Sequence, residues 1–254
     1  MKIDPKTQSK KIVSFLKTTF EKQGIKNAVV GLSGGIDSAV SFYLLKKTLQ
    51  PENIFVAHLP YYPSTFSLFK QITTIIPKEN VFEISIKQVV DVFRKRCDLV
   101  LRSHLNTIRS GNVMARVRMT FLFDLAKKHN AMVVGTENKS EHLLGYFTRF
   151  GDGASDIEPI QHLYKTQIIE LAKYLGVPDE IINAKPTANL WENQTDEGEF
   201  GFTYQEADQV LYYYLEHKLS LEEIIKKGLS NAEKIIKRVK ENEYKHKTPY
   251  LLKV

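Results

Sequence analysis

The sequence contains little cysteine and no long apolar run, and each absence excludes a class of protein. Cys97 is the single cysteine among 254 residues, so neither an internal disulfide nor a zinc site with the seven histidines is indicated. No stretch of eighteen apolar residues occurs, and we expect no transmembrane helix and no membrane partner. The first twenty residues carry five lysines and lack the apolar core of a secretory signal. We therefore expect a cytoplasmic location.

A large excess of one charge is also absent, since 36 Lys and Arg face 29 Asp and Glu, a net charge of +7. In residues 221–254, lysines interleave with glutamates as on a solvated amphipathic helix, without an aromatic stripe that would stack bases. The apolar content of 43% excludes a disordered chain. The pattern favours small phosphate-bearing ligands over nucleic acid, and a nucleic-acid module without catalysis stays the alternative.

Short apolar runs alternate with helical periodicities in the first half of the chain. Strands are predicted at 28–32, 54–59, 81–86 and 131–135, and helices at 9–23, at 36–49 and in the long region before the fourth strand. Such alternation is typical of βαβ units. The fold class is therefore predicted to be α/β, a doubly wound parallel sheet with helices on both faces.

The remainder of the chain is predicted to be a helical C-terminal part. Helices are expected near 166–175, 204–217, 221–227 and 231–242. Two capping boxes would begin the last two helices: Ser220 with Glu223, and Ser230 with Glu233. Residues 145–159 and 185–202 lack a period and are expected to be loops, with 187–202 a disordered lid that orders over nucleotides. Since no repeat or linker is found, a single domain over 1–254 is expected.

The segment after the first strand carries the strongest functional signal. It consists of Gly31, Leu32, Ser33, Gly34, Gly35, Ile36, Asp37 and Ser38. Adjacent glycines let backbone N–H groups approach a phosphate at a helix N-terminus, and the serines add hydroxyl donors. The segment lacks the lysine of a Walker loop and the third glycine of a dinucleotide fingerprint. It matches the nucleophile elbow G-x-S-x-G, but only about thirty residues precede it, fewer than that fold requires.

Asp37 within this segment indicates a divalent cation. A carboxylate repels a bare phosphate, whereas Mg²⁺ is held by few carboxylates together with phosphate oxygens. The fourth strand is followed by Gly135-Thr136-Glu137-Asn138-Lys139-Ser140-Glu141. In a doubly wound sheet the loops after the first and fourth strands meet at the switch point. Asp37 and Glu141 are therefore predicted to share one magnesium ion.

The motif Ser33-Gly34-Gly35-Ile36-Asp37-Ser38 resembles the S-G-G-x-D-S pyrophosphate loop of the N-type ATP pyrophosphatases. Further segments resemble, in the same order, the ammonia-dependent NAD synthetases of bacteria. These segments are 111–119, 145–156, 165–167, 185–188, 196–197 and 246–247. Ser155, Asn189 and Thr248 depart from residues common in that family, which affects fine specificity rather than reaction class.

The resemblance implies a reaction in which ATP adenylylates the nicotinate carboxylate of deamido-NAD and ammonia then displaces AMP. It implies an adenine nucleotide α-hydrolase-like fold and Mg²⁺ bound by Asp37 and Glu141. For ATP it assigns residues 31–38 with Thr136, Lys165 and Thr187, and for catalysis Asp37, Lys165 and Thr187. For deamido-NAD it assigns Arg116, Phe147, Arg149, Asp156, His246 and Lys247.

The resemblance also implies a homodimer and, since no glutaminase domain accompanies the motifs, ammonia as the direct nitrogen donor. Leu122, Phe123 and Leu125 in the helical region 106–129 would face either a partner or the core of the same chain. Lys185 is either a second cation for the departing pyrophosphate or a solvated charge.

An enzyme of the same superfamily with another acceptor, such as a tRNA-thiolating or GMP-forming enzyme, stays an alternative. The lone Cys97 argues against thiolation by a cysteine pair.

Overall fold

A parallel sheet lies at the centre of the part of the chain that the structure describes. The computed structural model describes residues 1–63, 74–101, 106–187, 190–191, 194–247 and 249–252. Within these ranges the strands are β1 (Asn27–Gly31), β2 (Ile54–His58), β3 (Val81–Glu83) and β4 (Ala131–Val134). Their order is β3-β2-β1-β4, and all three pairings are parallel. The carboxyl ends of β1 and β4 are therefore neighbours, which defines the switch point of a doubly wound sheet.

Helices cover both faces of the sheet, as predicted. In chain order they are α1 (Pro5–Gln23), α2 (Ile36–Lys46), α3 (Lys87–Leu101), α4 (Thr107–His129), α5 (Lys139–Leu144), α6 (Lys165–Leu175), α7 (Asp179–Ile182), α8 (Asp196–Phe200), α9 (Tyr204–Leu211), α10 (Leu221–Lys226) and α11 (Ala232–Asn242). One apolar core joins α1, α2, α6 and α7 to one face of the sheet, and another joins α3 and α4 to the opposite face. Among the described residues, no helix combines the length and apolarity needed to cross a bilayer.

The first helix shows how local sequence and burial act together. Asp4 caps its N-terminus by accepting from the Lys6 backbone N–H at 3.2 Å, and Gly24 ends it with a φ of 64°. Between the caps, Ile12, Leu16 and Phe20 recur at helical spacing and are buried. Burial of each such side chain stabilises the fold by about 1.5–3 kcal/mol. The amphipathic pattern therefore anchors α1 on the sheet.

The helical C-terminal part has an apolar core of its own. Helices α5 and α8–α11 surround it, and Phe200, Ile224 and Ile235 are at most 1% exposed. Helix α10 begins with the predicted capping box, because Ser220 Oγ accepts from the Glu223 N–H while the Glu223 carboxylate accepts from the Ser220 N–H. This core places α9 against α6 and α5, beside the carboxyl end of the sheet.

Part of the predicted loop 185–202 is helical in the structure. Helix α8 lies within it, and Phe200 and Phe202 are buried in the C-terminal core. The segment is ordered despite its polar composition because burial of the aromatic side chains at 200 and 202 is favourable. The prediction of a disordered lid over 187–202 is therefore wrong for α8 and Phe202. Residues 188–189 and 192–193, and also Thr248, lie outside the described residues.

Two further local predictions differ from the structure. The second capping box is wrong, because α11 begins after Asn231, whose backbone and amide N–H groups donate to Glu206 at 2.9 and 2.7 Å. A tertiary contact thus replaces the local cap. The helix predicted over 204–217 changes to a π-helical segment at Tyr212–Glu216.

Candidate active site

The loop between β1 and α2 turns sharply and is stabilised by its own hydroxyl groups. Gly34 has a φ of 93°, a conformation that residues with a side chain rarely adopt. Ser38 Oγ donates to the Gly35 carbonyl at 2.9 Å, and the Gly35 N–H donates to Ser33 Oγ at 3.2 Å. Gly35 itself is the N-cap of α2 and provides no side chain to cap the helix. The N-terminus of α2 is thus open to an anion, which the helix dipole favours.

Lys165, at the start of α6, lies between the two carboxylates that follow β1 and β4. Its Nζ is 2.5 Å from Asp37 Oδ2 and 3.1 Å from Glu141 Oε1. The side chains of Lys165, Asp37 and Glu141 are 5%, 13% and 17% exposed, so solvent screens their charges little. The structure therefore brings three of the predicted site residues together. They form a compact charged cluster, which we call the Lys165 centre.

The Asn138 side chain connects the Asp37 carboxylate to the backbone of Glu141. It is fully buried, its Nδ2 donates to Asp37 Oδ1 at 2.9 Å, and its Oδ1 accepts from the Glu141 backbone N–H at 3.0 Å. The second contact also caps α5. One amide thus fixes Asp37 relative to Glu141. Asn138 is not among the predicted site residues, although an Asn three residues before a Glu is a usable signal for a helix N-cap.

Asp208 on α9 fixes Lys165 from the other side. Its buried carboxylate accepts from Ser140 Oγ at 2.5 Å and from the Thr166 backbone N–H and Oγ1 at 2.9 and 2.8 Å. Ser140 Oγ in turn accepts from the Lys165 backbone N–H at 2.9 Å. Asp208 therefore ties the N-termini of α5 and α6 together. Asp208 is not among the predicted site residues, because nothing in the local pattern of α9 distinguishes it from a solvated acid.

The charges of the Lys165 centre shift the pKa values of its members. Burial raises the pKa of Glu141 to about 8, against the opposing effect of the Lys165 ammonium. Burial lowers the pKa of Lys165, but the carboxylates of Asp37 and Glu141 outweigh this effect and raise it above its usual range. The ammonium is therefore retained at neutral pH. A charged donor beside the phosphate loop suits an anionic ligand.

Asp196, on α8, borders the Lys165 centre. Its carboxylate accepts from the Tyr204 and Tyr146 hydroxyls, each at 3.1 Å, and is 3% exposed. Burial raises the pKa of Asp196, against the opposing charge of Lys165. The Asp196 backbone N–H donates to the Pro186 carbonyl at 3.0 Å, so the exposed Thr187 follows directly beside α8. The segment 185–187 therefore reaches the edge of the centre.

Three aromatic rings form a stack next to α5. His142 lies 4.2 Å from His246 and 5.9 Å from Phe147 between ring centroids, and all three pairs are stacked. His246 Nε2 lies 2.7 Å from the His142 carbonyl, and Lys245 Nζ donates to the Gly145 carbonyl at 2.6 Å. The structure thus brings the predicted residues Phe147 and His246 together. His142 is not among the predicted site residues.

Two predicted arginines lie next to each other at the edge of this region. Arg116 Nη2 donates to the Arg149 carbonyl at 3.3 Å, and the Arg149 guanidinium lies 5.7 Å from the Tyr244 ring centroid. Lys247 is exposed and forms an ion pair with Glu243 at 2.5 Å. These cations are suitably placed to fork onto phosphate oxygens.

Other predicted residues lie apart from the cluster. Asp156 lies beside β4, and its Oδ2 accepts from the Val133 backbone N–H at 2.7 Å. It lines a cavity of about 200 Å³ with Lys127 and Asn130, near the start of β4. Lys185 and Pro186 line another cavity of about 360 Å³ with Glu197. Thr136 is half-buried at the exit of β4.

A pair of acids that the sequence analysis did not select follows β4. Burial raises the pKa of Glu158 to about 7, and the Glu158 carboxylate accepts from Ser155 Oγ at 2.7 Å. Glu137 accepts from Gln161 at 2.7 Å and faces His142 at 3.1 Å. A side chain at Gly135 would place its Cβ 1.8 Å from Glu158 Oε1, so the Glu158 carboxyl group would have to move to admit it.

The model of the NAD synthase family matches residues 8–249 of this chain. The NH3-dependent NAD⁺ synthetase of Fusobacterium nucleatum is 43% identical over 247 residues, which cover 96% of this chain and 94% of that protein. The synthetase of the same name from Thermococcus sibiricus is 38% identical over 242 residues and 94% of each chain.

Solved structures of similar proteins cover nearly the whole chain. The NMN synthetase of Francisella tularensis has a TM-score of 0.83 and 33% identity over 100% of both chains. The NH3-dependent NAD synthetase of Campylobacter jejuni, in complex with a nitrate ion, has a TM-score of 0.79 and 30% identity over 99% of this chain and 100% of that one.

Proposed function

This chain belongs to the NAD synthase family, and on that premise we propose that it amidates deamido-NAD to NAD with ammonia, as a carbon–nitrogen ligase. A carboxylate is a poor electrophile until one oxygen becomes a good leaving group. In the proposed reaction the nicotinate oxygen attacks the α-phosphorus of ATP and pyrophosphate departs. Ammonia then attacks the acyl carbon, the acyl C–O bond breaks, and AMP leaves with the electron pair. A cytoplasmic location, where ATP is available, belongs to the same proposal.

The observation that carries this proposal is the position of the Lys165 centre beside the open N-terminus of α2. Residues 31–38 offer backbone N–H groups and the serine hydroxyls for the ATP phosphates. Lys165 offers a retained positive charge that stabilises the developing pyrophosphate. Thr136 and Thr187, at the borders of the same region, are the further ATP contacts in the proposal.

The ring stack and the two arginines form the proposed deamido-NAD region. Phe147 and His246 present aromatic faces that suit a nicotinate or adenine ring. Arg116, Arg149 and Lys247 supply cations for the dinucleotide phosphates. Asp156 is the weakest member of this set, since its carboxylate is already bonded to the backbone of β4.

The residues present suit a magnesium ion at the Lys165 centre. Lys165 Nζ contacts Asp37 Oδ2 and Glu141 Oε1 at once, so both carboxylates reach a common cation position. In the described part of the chain, no three acidic, histidine or cysteine side chains converge as a metal cage. Two carboxylates plus water and phosphate oxygens are a usual ligand set for Mg²⁺. When bound, the ion would neutralise phosphate charge.

The test of the proposed function is release of AMP and pyrophosphate from ATP by the purified protein. We expect release that requires deamido-NAD, and NAD formation that requires ammonium as well. Glutamine in place of ammonium is expected to give no NAD, because the relatives at about 40% identity are NH3-dependent synthetases. NAD formation without ammonium, or pyrophosphate release without deamido-NAD, would contradict the proposal.

A second candidate substrate follows from the similarity to the NMN synthetase of Francisella tularensis. An enzyme of that kind would amidate a nicotinate mononucleotide by the same adenylylation chemistry. The two candidates are distinguished by kcat/KM for the mononucleotide and for deamido-NAD in parallel assays. We propose deamido-NAD as the better substrate, because the relatives at about 40% identity are NAD synthetases.

We also propose a homodimer, and the structure offers an apolar face for it. Helix α3 exposes Val92, Leu99 and Val100 at 66%, 69% and 73%, and Ile108 at the start of α4 is 64% exposed. Val89 and Phe93 of the same helix are exposed too, and an exposed apolar patch of this kind is typical of an interface. Leu125 is buried, and Leu122 and Phe123 pack beside it in the core of the same chain. The dimer would therefore form through α3 rather than through those three residues, and sedimentation velocity of a Val92→Asp variant tests this.

A further inference from the structure

The Lys165 centre contains more acidic than basic groups. Lys165 faces the carboxyl groups of Asp37 and Glu141 directly, and the charge of Asp196 also acts on it. Three acidic side chains thus act on a single ammonium. Such a cluster favours a divalent metal ion over the singly charged ammonium of Lys165.

We propose that the Lys165 ammonium is a resident cation, which holds the position between Asp37 and Glu141 until a divalent ion and ATP enter together. This inference rests on the proposed function, since it concerns the magnesium ion and ATP assigned to the same site. In the ligand-free protein, Nζ contacts both carboxyl groups and offsets part of their negative charge. When ATP binds, Nζ transfers to phosphate oxygens and leaves both carboxylates to the metal.

The anchoring of Lys165 permits such a transfer. Its backbone is held, because its N–H donates to Ser140 Oγ and the adjacent Thr166 donates twice to Asp208. Its ammonium, in contrast, is held by the two carboxylates and lies 5.2 Å from the Tyr204 ring centroid. The four-carbon side chain can therefore swing about a fixed backbone.

The placement of the centre also supports the transfer. Asp37 is the second residue of α2, two positions after the N-cap Gly35, and belongs to the first turn of the helix. An anion at the N-terminus of α2 is therefore a close neighbour of the ammonium that Asp37 holds. A phosphate there supplies Nζ with new charged partners as it leaves the old ones.

The experiment measures Mn²⁺ binding to the protein without nucleotide or deamido-NAD, from the electron paramagnetic resonance signal of free Mn²⁺. We expect the Lys165→Gln variant to bind Mn²⁺ at least about tenfold more tightly than the wild type, because a competing charge is removed. Glutamine fills most of the same space and can hydrogen-bond the carboxylates, which protects the fold. Lys165→Met provides a second, fully apolar replacement with the same expected direction.

The matched control is Lys173→Gln, which removes an exposed lysine of the same helix. It is expected to bind Mn²⁺ as the wild type does. Equal or weaker Mn²⁺ binding by both Lys165 variants, with unchanged thermal unfolding, overturns the proposal. Because this measurement uses Mn²⁺ alone, it is independent of catalysis. Failure of the proposed function appears instead as a wild type that releases no pyrophosphate.

Discussion

The Lys165 centre and the deamido-NAD region differ in how far the chain assembles them by itself. In the Lys165 centre, each charged group has a buried partner, and Asn138 and Asp208 join four elements around it. In the deamido-NAD region, Arg116 is exposed and Lys247 pairs with its own helical neighbour Glu243. Nucleotide chemistry needs a preorganised site, whereas recognition of a large substrate tolerates side chains that adapt on binding.

Asp37 provides the sharpest test of the Lys165 centre. We expect Asp37→Asn to lower pyrophosphate release about 100- to 1,000-fold, because the variant loses a carboxylate that would hold the metal ion against the ATP phosphates. The measurement is single-turnover pyrophosphate release at saturating ATP and deamido-NAD. Asp124→Asn, an exposed acid on α4, is the control. A fully active Asp37→Asn variant would contradict the assignment of Asp37 as a metal ligand. It would also contradict the view that the Lys165 centre is the more preorganised of the two regions.

Asp208 tests whether the Lys165 centre depends on its support. We expect Asp208→Asn to lower the free energy of unfolding by about 1–3 kcal/mol, since one buried acceptor becomes a donor that faces the Ser140 hydroxyl. The KM for ATP is expected to rise more than the KM for deamido-NAD. Urea unfolding and steady-state kinetics measure the two effects. Equal rises in both KM values would mean that Asp208 supports the fold in general rather than this centre.

Arg149 tests the deamido-NAD region. We expect Arg149→Met to raise the KM for deamido-NAD about tenfold, the cost of one hydrogen bond to a charged group, and to leave the KM for ATP within about twofold. Lys128→Met, at the exposed end of α4, serves as the control for loss of a surface cation. The comparison breaks down if the KM for ATP rises as much as the KM for deamido-NAD.

The raised pKa of Glu158 predicts that the stability of the fold depends on pH. Its pKa in the folded protein, about 7, lies above the ordinary value of 4.5, so the folded state binds more protons between these values. Stability therefore falls as pH rises from about 4.5 to 7, by roughly 1–3 kcal/mol from this group. Glu158→Gln is expected to flatten that part of the profile in urea unfolding at pH 5 and pH 8. An unchanged profile would show that Glu158 titrates normally.

The sequence predicted the charged residues of the Lys165 centre better than the buried residues that hold them in place. Alternating patterns and the loop at residues 31–38 placed Asp37 and the residues after β4 at one edge of the sheet, and the structure joins them through Lys165. Asp208 escaped prediction because a buried acid on a helix has the same local pattern as a solvated one. Its role comes from Ser140, 68 positions away. Periodicity reports which face of an element is apolar, and does not report such polar contacts over long distances.

The contact between Asp37 and Lys165 also determines at what point during synthesis of the chain the nucleotide site can form. Asp37 meets Lys165 across 128 positions, and the carboxylate of Asp208 holds the start of α6 from still further along the chain. A ribosome adds about 5–20 residues per second, so the phosphate loop is made roughly 10–30 s before Asp208 follows it. Until Lys165 is made, Asp37 lacks the ammonium that it contacts in the folded chain. Competence for ATP therefore arises late, and a nascent chain that ends before α9 lacks the complete site even with its sheet formed.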